Sequence, residues 1–266
     1  MRPFTPMPGI DSNGLTAQVW ITARNQIIIA YPGTFGGQDV ILKPAEVVTQ
    51  IISDIRTYLN KTPTPLETDA LTFANSVISA ARCEGYSTAD LFVTGHSLGG
   101  ILAEYVASQT DLGGISFEAT GLPLTDWRGI GTNFVSIVTF GDPVGNFASD
   151  VDAEWPLGPP YGASGGGLPH YGHLVMIGRP SDQDALVQTA SKWDNVLLRG
   201  AVLAELVALL LEYHLPGTQA HDLGVGLKPF GKLDELGKQD GTVLDVATST
   251  IPELVETSDR IRTVKK

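Results

Sequence analysis

The chain has 266 residues, of which 42% are hydrophobic and 17% are charged, and its formal net charge is −12. This length supports one large domain with a sizeable core, whereas the acidic excess argues against a nucleic-acid partner and against charge-driven docking on anionic lipid. The single cysteine, Cys83, excludes an internal disulfide bond and a cysteine-based metal cluster. We therefore expect a single domain over residues 1–266, with a more polar C-terminal segment from about residue 228.

The N-terminal residues MRPFTP lack an apolar core of signal-peptide length. The expectation is a cytoplasmic protein, or one that is secreted without a cleaved N-terminal signal. An aliphatic run at residues 196–211 contains Arg199 and Glu205, so it is too short and too polar to span a bilayer comfortably. A buried helix or a lid is expected there instead.

Strand-type and helix-type patterns alternate along the chain. Segments rich in β-favouring residues predict strands at residues 16–23, 26–31, 91–94, 114–119, 134–140 and 173–178. Segments with apolar residues at helical spacing predict helices at residues 46–60, 68–83, 101–107 and 190–213. Residues 61–65 are expected to break the first two helices apart, and the glycine-rich residues 156–167 to form a surface insertion. The alternation predicts an α/β fold with a largely parallel sheet flanked by helices.

The most informative segment is LFVTGHSLGG at residues 91–100, where an apolar strand runs directly into the pattern Gly-x-Ser-x-Gly. A strand before the pattern and a helix after it are typical of a nucleophile elbow. Gly95 and Gly99 remove side chains that would clash across such a turn. The following helix directs its N–H groups at an oxygen that becomes negative during acyl transfer. Ser97 is therefore the candidate nucleophile; the alternative is a Gly/Ser turn without catalytic partners.

A serine nucleophile needs a histidine base, and the base needs a carboxylate that orients it. In α/β-hydrolases the order along the chain is serine, acid, histidine. Asp142 lies in the tetrapeptide GDPV, directly after the strand at residues 134–140, and is the candidate acid. It could equally be a turn aspartate that precedes a proline. Asp182 and Asp184 follow the strand at residues 173–178 and compete with Asp142.

Two histidines are candidates for the base. His214 and His221 both follow the long predicted helix, although a histidine at a helix end can simply be a favourable C-terminal charge. His170 and His173 precede the last predicted strand, which is too early for a base on the final loop. His96 adjoins the nucleophile and is expected to point elsewhere and support the turn.

An oxyanion hole needs two backbone N–H groups. Leu98, the residue after the nucleophile, supplies one of them, and a loop after an early strand supplies the other. The sequence YPGT after residues 27–30 provides such a loop, in which Gly33 permits close backbone approach and Thr34 is the expected donor. Loss of one such donor typically costs about a hundredfold or more in rate.

Together these motifs resemble those of the class 3 (fungal-type) lipases, and more closely those of the related bacterial secreted lipases and polyurethanases. Residues 30–34, AYPGT, are similar to the aromatic-x-Gly-Thr oxyanion motif of these enzymes, and residues 80–100 to their helix, Gly-Tyr-Ser, strand and elbow. The GDPV of residues 141–144 resembles an Asn-Asp-Pro-Val whose aspartate is the triad acid. The HLP of residues 214–216 resembles the segment with the catalytic histidine, and the resemblance covers about residues 16–227.

The resemblance implies an α/β-hydrolase fold and a serine ester hydrolase, either a lipase or a carboxylesterase. It implies Ser97, Asp142 and His214 as the catalytic residues, with Thr34 and Leu98 as oxyanion donors. The expected partner is an ester or lipid substrate, reached through a transient contact with a lipid interface. No cofactor and no metal are expected, because the sequence offers no ligand set that matches the calcium of the family's lid.

The sequence also departs from the family pattern. The family's longer N-terminal region is not visible, nor are the C-terminal calcium-binding repeats of its bacterial members. A tyrosine five residues after the family's histidine is Gln219 in this chain, or Gly226 if His221 is the base. The choice between His214 and His221 therefore stays open.

Other functions are compatible with the same residues. An acyltransferase, a phospholipase or a polyesterase would use the same triad with a different pocket. A hydrolase-like module that binds hydrophobic ligands without catalysis is the alternative from another class. The apolar residues 35–41, 46–59 and 196–211 are candidates for an acyl pocket or a lid, or simply cover the sheet.

Overall fold

A computed structural model describes residues 1–12, 14–33, 63–122, 131–148, 168–192 and 195–224. Several predictions fall outside these residues: those on Thr34, on residues 35–41, on the helix at 46–60, on the insertion at 156–167 and on the segment after 228. The statements that follow concern the described residues.

The described residues form one sheet of eight strands. The strands are β1 (Arg2–Pro3), β2 (Gly9–Ser12), β3 (Leu15–Ile21), β4 (Ile27–Tyr31), β5 (Leu91–His96), β6 (Gly113–Phe117), β7 (Phe134–Thr139) and β8 (His173–Ile177). The order across the sheet is β1, β3, β4, β5, β6, β7, β8, and β2 also pairs with β3. Strands β1 to β4 pair antiparallel, whereas β4 to β8 are parallel. The mostly parallel α/β sheet predicted from the sequence is confirmed, as is the β3–β4 hairpin.

Helices flank this sheet. In chain order they are α1 (Pro65–Cys83), α2 (Leu98–Thr110), α3 (Asp182–Ser191), α4 (Arg199–Leu209), a π-helix (Leu210–His214) and α5 (Pro216–Asp222). Helices α1 and α2 pack against each other, and α2 also packs on β4, β5 and β6. The apolar face of α1 contributes Ala70, Phe73, Ala74, Val77 and Ala81 to the main core at helical spacing.

Helix α1 begins earlier than the sequence pattern predicted. The side chain of Thr64 accepts the N–H of Glu67 at 3.2 Å, and the carboxylate of Glu67 accepts the N–H of Thr64 at 2.6 Å. This reciprocal pair is a capping box. Pro65 is the first helical residue, a position where the missing N–H of a proline costs nothing. The prediction that Pro65 belongs to a break was therefore wrong by one helical turn.

The single long helix predicted over residues 190–213 is two helices. α3 ends at Ser191, and the side chain of Asn195 caps a short 3-10 turn, Val196–Leu198, before α4 begins. Only one face of residues 196–211 is buried, because Val202 and Leu206 lie in the interior whereas Leu197 is 93% exposed. No described helix combines the length and the apolar character that crossing a membrane requires.

Parallel pairing brings the ends of three strands to one edge of the sheet. His96 at the end of β5 pairs with Phe117 at the end of β6, and Phe117 pairs with Ile137 near the end of β7. The residues that follow these strands therefore lie close together. This edge, at the carboxyl ends of parallel strands, is where α/β sheets generally bind ligands.

Candidate active site

Ser97 lies in a strained turn between β5 and α2. Its backbone has φ 57° and ψ −125°, a combination that costs a residue with a side chain about 1–3 kcal/mol. The N–H of Ser97 donates to the carbonyl of Phe117 at 2.8 Å, which ties the turn to β6. Ser97 is 3% exposed. This conformation is that of a serine held at a strand-to-helix elbow.

The glycines of the elbow meet backbone atoms. A Cβ added to Gly95 would overlap the carbonyl group of Gly99, and a Cβ added to Gly99 would overlap the carbonyl group of Tyr31. No residue with a side chain can occupy either position without moving α2 away from β4 and β5. The sequence prediction that these two glycines make room for the turn is confirmed.

The described part of the expected oxyanion loop also touches the elbow. A Cβ added to Gly33 would lie 2.8 Å from the carbonyl oxygen of His96 and 3.3 Å from Cβ of Ser97. Leu98 is the first residue of α2, so its N–H is at the positive end of the helix dipole. Thr34 follows Gly33 directly and is outside the described residues.

The structure brings Asp142 and His214 together in the interior. Asp142 follows β7, His214 ends the π-helix, and both are fully buried. Nδ1 of His214 lies 3.1 Å from each carboxylate oxygen of Asp142. Since a carboxylate only accepts, Nδ1 carries the proton of this hydrogen bond. The imidazole is thereby held in one tautomer, with Nε2 as the acceptor when the ring is neutral.

The surroundings of Asp142 favour its charged form. The N–H groups of Val144 and Gly145 donate to its carboxylate at 3.2 and 2.7 Å. Burial raises the pKa of Asp142, but the charge of His214 and hydrogen bonds from His214, Glu118 and Gly145 lower it, and the result is a pKa of about 2. Asp142 is therefore an anion at neutral pH.

The competing acids occupy other places. Asp182 accepts a hydrogen bond from the hydroxyl group of Tyr213, and burial raises its pKa although Arg179 opposes the effect. Asp184 is exposed in the first turn of α3. The aspartate that contacts His214 is Asp142.

The other downstream histidines lie elsewhere, and two of them contact other groups. Nδ1 of His221 lies 3.2 Å from the carboxylate of its neighbour Asp222. Nε2 of His170 donates to the carbonyl of Ala119 at 2.9 Å, and His173 is the first residue of β8. The histidine that the structure brings to Asp142 is His214, and its role as a base remains a prediction.

His96 does more than support the turn, and the expectation that it points away from the site was wrong. Its Nε2 donates to the carbonyl oxygen of His214 at 2.7 Å, and the two rings lie 4.7 Å apart between centroids. Burial, and next the charge of His214, lower the pKa of His96 to about 3. A neutral His96 therefore links the end of β5 to the candidate base.

Side chains also hold the last turn before α5. The hydroxyl group of Thr218 donates to the carbonyl of residue 212, and the side-chain amide of Gln219 donates to the carbonyl of residue 213 at 2.7 Å. Nε2 of His96 donates to the carbonyl of residue 214, also at 2.7 Å. A helix end leaves such carbonyls without helical partners. Gln219, where the resemblance led us to expect a tyrosine, fixes the turn that carries His214. This gives the departure a structural role.

Glu118 is a site residue that the sequence analysis missed. It follows β6 directly, has φ 52° and is fully buried. Oε1 accepts from the N–H and the hydroxyl group of Thr139 at 3.0 and 2.6 Å. Burial, and next the charge of Asp142, raise the pKa of Glu118 well above its ordinary value. Its position after a strand that neighbours the elbow strand was the available signal.

Among the described residues, one group of side chains lies close enough together to hold a metal ion. It consists of Glu118, Asp142 and His214, whose potential ligand atoms lie within 4.8 Å of one another. The oxygens of Asp142 already accept from Nδ1 of His214 and from the main chain. The three side chains thus form a hydrogen-bonded array that can hold and move a proton, and we assign no metal to it.

Comparison with known proteins gives little beyond this geometry. No family model matches the chain, and no curated protein matches it. The crystal structure of the extracellular lipase LipA from Serratia marcescens is similar with a TM-score of 0.36 and 20% identity, over 55% of this chain and 27% of LipA. The matched residues thus span about a quarter of that lipase, and a likeness this loose says nothing about individual residues.

Proposed function

We propose that the chain is a serine ester hydrolase of the α/β-hydrolase fold, a lipase or a carboxylesterase. The observation that carries the proposal is the buried hydrogen bond between Asp142 and Nδ1 of His214 at the sheet edge where Ser97 occupies a strained elbow. Nucleophile, base and orienting acid are what acyl transfer through a serine requires.

In this mechanism His214 accepts the proton of the Ser97 hydroxyl group at Nε2 while the serine oxygen attacks the acyl carbon. Asp142 stabilises the imidazolium that forms. His214 then returns the proton to the leaving alcohol, and an acyl-enzyme remains on Ser97. Water, deprotonated by His214, attacks the acyl-enzyme and releases the acid.

The negative oxygen of each tetrahedral intermediate needs donors. The N–H of Leu98, at the start of α2, is one of them in this proposal, and the N–H of Thr34 is the other. The close approach of Gly33 to the elbow supports a loop at this position. Preorganised donors of this type provide a large part of the rate of acyl-transfer enzymes.

The proposal includes a transient contact with a lipid interface. Val196 and Leu197 are 68% and 93% exposed in the turn before α4, which suits insertion among lipid headgroups. Leu197→Asp is expected to weaken binding to phosphatidylcholine vesicles in a flotation assay, whereas Gln188→Asp, an equal charge change on exposed α3, is not. Equal vesicle binding by both variants would remove the interface from the proposal.

Covalent labelling tests the nucleophile. An alkyl phosphonate ester is expected to modify Ser97, with the adduct mapped by mass spectrometry, and Ser97→Ala is expected to abolish both labelling and hydrolysis of p-nitrophenyl esters. An adduct on any other residue, or hydrolysis that survives Ser97→Ala, would overturn the serine mechanism.

The base is tested by a matched pair of variants. His214→Ala is expected to lose activity, whereas His221→Ala, which removes a partly exposed histidine of α5, is expected to retain it. The reverse result would reassign the base. If the unaltered chain is inactive over a range of acyl lengths, a module that binds hydrophobic ligands replaces the hydrolase. Ester products formed with added alcohol would indicate an acyltransferase.

A further inference from the structure

Two carboxyl groups meet beside the candidate base. A Cβ added to Gly145 would lie 2.6 Å from Oε2 of Glu118 and 3.2 Å from Oδ2 of Asp142, so these two oxygens converge above Gly145. Both side chains are fully buried, and a carboxylate oxygen of one lies within 4.8 Å of a carboxylate oxygen of the other. Two buried carboxylates at such a distance cannot both be ionised. One proton must therefore be shared between them.

The partners of each group show where this proton is. Asp142 accepts hydrogen bonds from Nδ1 of His214 and from the N–H groups of Val144 and Gly145, which stabilise an anion. The shortest contact of Glu118 is the hydroxyl group of Thr139, which donates to Oε1. Oε2 also accepts the N–H of Thr139, at 3.2 Å, and it is the oxygen that converges with Oδ2 of Asp142. A proton shared by the two carboxyl groups belongs on this oxygen.

We propose that Glu118 is a positioning residue whose protonated carboxyl group donates an O–H hydrogen bond to Asp142 and holds that acid against His214. The proposal rests on the function proposed above, and it adds a second acid to the site. Glu118 does not touch the reacting atoms; it acts through Asp142.

The hydrogen bond has an electrostatic consequence. It withdraws part of the negative charge of Asp142 from His214, so the imidazole feels a weaker negative field from that carboxylate. Among the described residues, His96 on β5 also lies close to His214, and it is neutral. A neutral His214 is the form that can accept the proton of Ser97.

Two substitutions test whether Glu118 acts as a hydrogen-bond donor or only fills space. Glu118→Gln replaces the O–H donor with an amide N–H of the same size, whereas Glu118→Ala removes it. Glu118→Ala is expected to lower kcat about tenfold or more with little change in KM, because a charge-assisted hydrogen bond is lost. The acidic limb of its kcat/KM profile is expected to move to higher pH by roughly half a unit or more. Glu118→Gln is expected to keep most of kcat, and the acidic limb of its kcat/KM profile is expected to stay at the original pH.

Glu104 provides a matched control. It is also fully buried with a raised pKa, but it accepts hydrogen bonds from Ser116 and Ser136 at 2.7 and 2.9 Å. Glu104→Gln is expected to leave the acidic limb where it is. An unchanged limb and full kcat in Glu118→Ala would overturn the proposal, as would equal losses of kcat in Glu118→Gln and Glu118→Ala.

An infrared measurement separates this proposal from the proposed function, because it needs no turnover. At neutral pH the Ser97→Ala protein is expected to show the carbonyl band of a protonated carboxylic acid that disappears on adding Glu118→Gln. If the chain with Ser97 hydrolyses esters but the difference band is absent, the role of Glu118 alone is overturned. If the difference band is present but the chain never hydrolyses esters, the proposal that Glu118 is protonated beside Asp142 stands and the hydrolase proposal fails.

Discussion

The two halves of the candidate site are held by different forces. Around Ser97 the geometry depends on backbone contacts, because Gly95 and Gly99 allow α2 to touch the strands. Around His214 it depends on hydrogen bonds between buried side chains, and the central one joins residues that are 72 positions apart in sequence. Steric contacts within one segment leave a signature of glycines in the sequence. A polar cluster assembled from distant segments leaves hardly any.

The largest expected effect is in the half that depends on hydrogen bonds. Asp142→Asn is expected to lower kcat by about four orders of magnitude, because an amide can hold the imidazole in the wrong tautomer and cannot stabilise its charged form. Ester hydrolysis under saturating substrate measures the loss. Asp184→Asn, on the exposed first turn of α3, is the control and should retain full activity. Similar kcat values for the two variants would contradict the assignment of the acid.

In the half that depends on backbone contacts the loss should be one of stability. Gly95→Ala is expected to lower the free energy of unfolding by about 3 kcal/mol, because the new methyl group overlaps the carbonyl of Gly99. Urea unfolding measures this value. Gly200→Ala in α4 meets no atom within 4 Å and should be neutral or stabilising by up to about 1 kcal/mol. If Gly95→Ala proves as stable as Gly200→Ala, backbone contacts are not what holds the half of the site around Ser97.

His96 belongs to both halves, and its charge state gives a pH dependence. The pKa of His96 falls from 6.5 to about 3 in the folded protein. Below pH 6.5 the unfolded chain binds a proton that the folded chain rejects, so stability falls by up to about 1.4 kcal/mol per pH unit as the pH approaches 3. Urea unfolding at several pH values should show that the free energy of unfolding falls less with decreasing pH in His96→Gln than in the unaltered protein. Parallel curves for the two proteins would show that His96 accepts a proton in the folded state.

The smallest expected effect is at the edge of the hydrogen-bonded half. Thr218→Val removes the hydroxyl group that donates to the carbonyl of Glu212, and should lower the free energy of unfolding by about 1 kcal/mol. Thr72→Val removes a similar hydroxyl group from the exposed surface of α1 and should change stability by less than about 0.5 kcal/mol. Thermal unfolding of both variants makes the comparison. Equal melting temperatures would mean that the carbonyl of residue 212 needs no side-chain donor.

The same difference explains which parts of the structure could be predicted from the sequence. The elbow, the mostly parallel sheet and the β3–β4 hairpin could be predicted because short-range patterns determine them. The division of the long helix between Ser191 and Arg199 could not, because apolar spacing continues across it. The cap at Asn195 was the local signal for that break.

Within the site, the sequence predicted only residues of the types that the proposed reaction requires. Asp142 and His214 were candidates because acyl transfer requires an acid and a base after the serine, and Asp182 and His221 matched that requirement almost as well. Glu118 was overlooked because it falls inside the strand predicted at residues 114–119, where a charged residue ordinarily faces the surface. Its burial depends on the pairing of β6 with β7, which no local pattern specifies.

The hydrogen bond from His96 to the carbonyl of His214 also joins an early part of the chain to a late one. The nucleophile turn can form from β5, α2 and their neighbours alone, whereas the docking of residues 195–224 depends on a side chain that β5 must already present. In a chain made N-terminus first, Ser97 is synthesised well before His214. Under the proposed function, ester hydrolysis would begin only once His214 has joined Asp142.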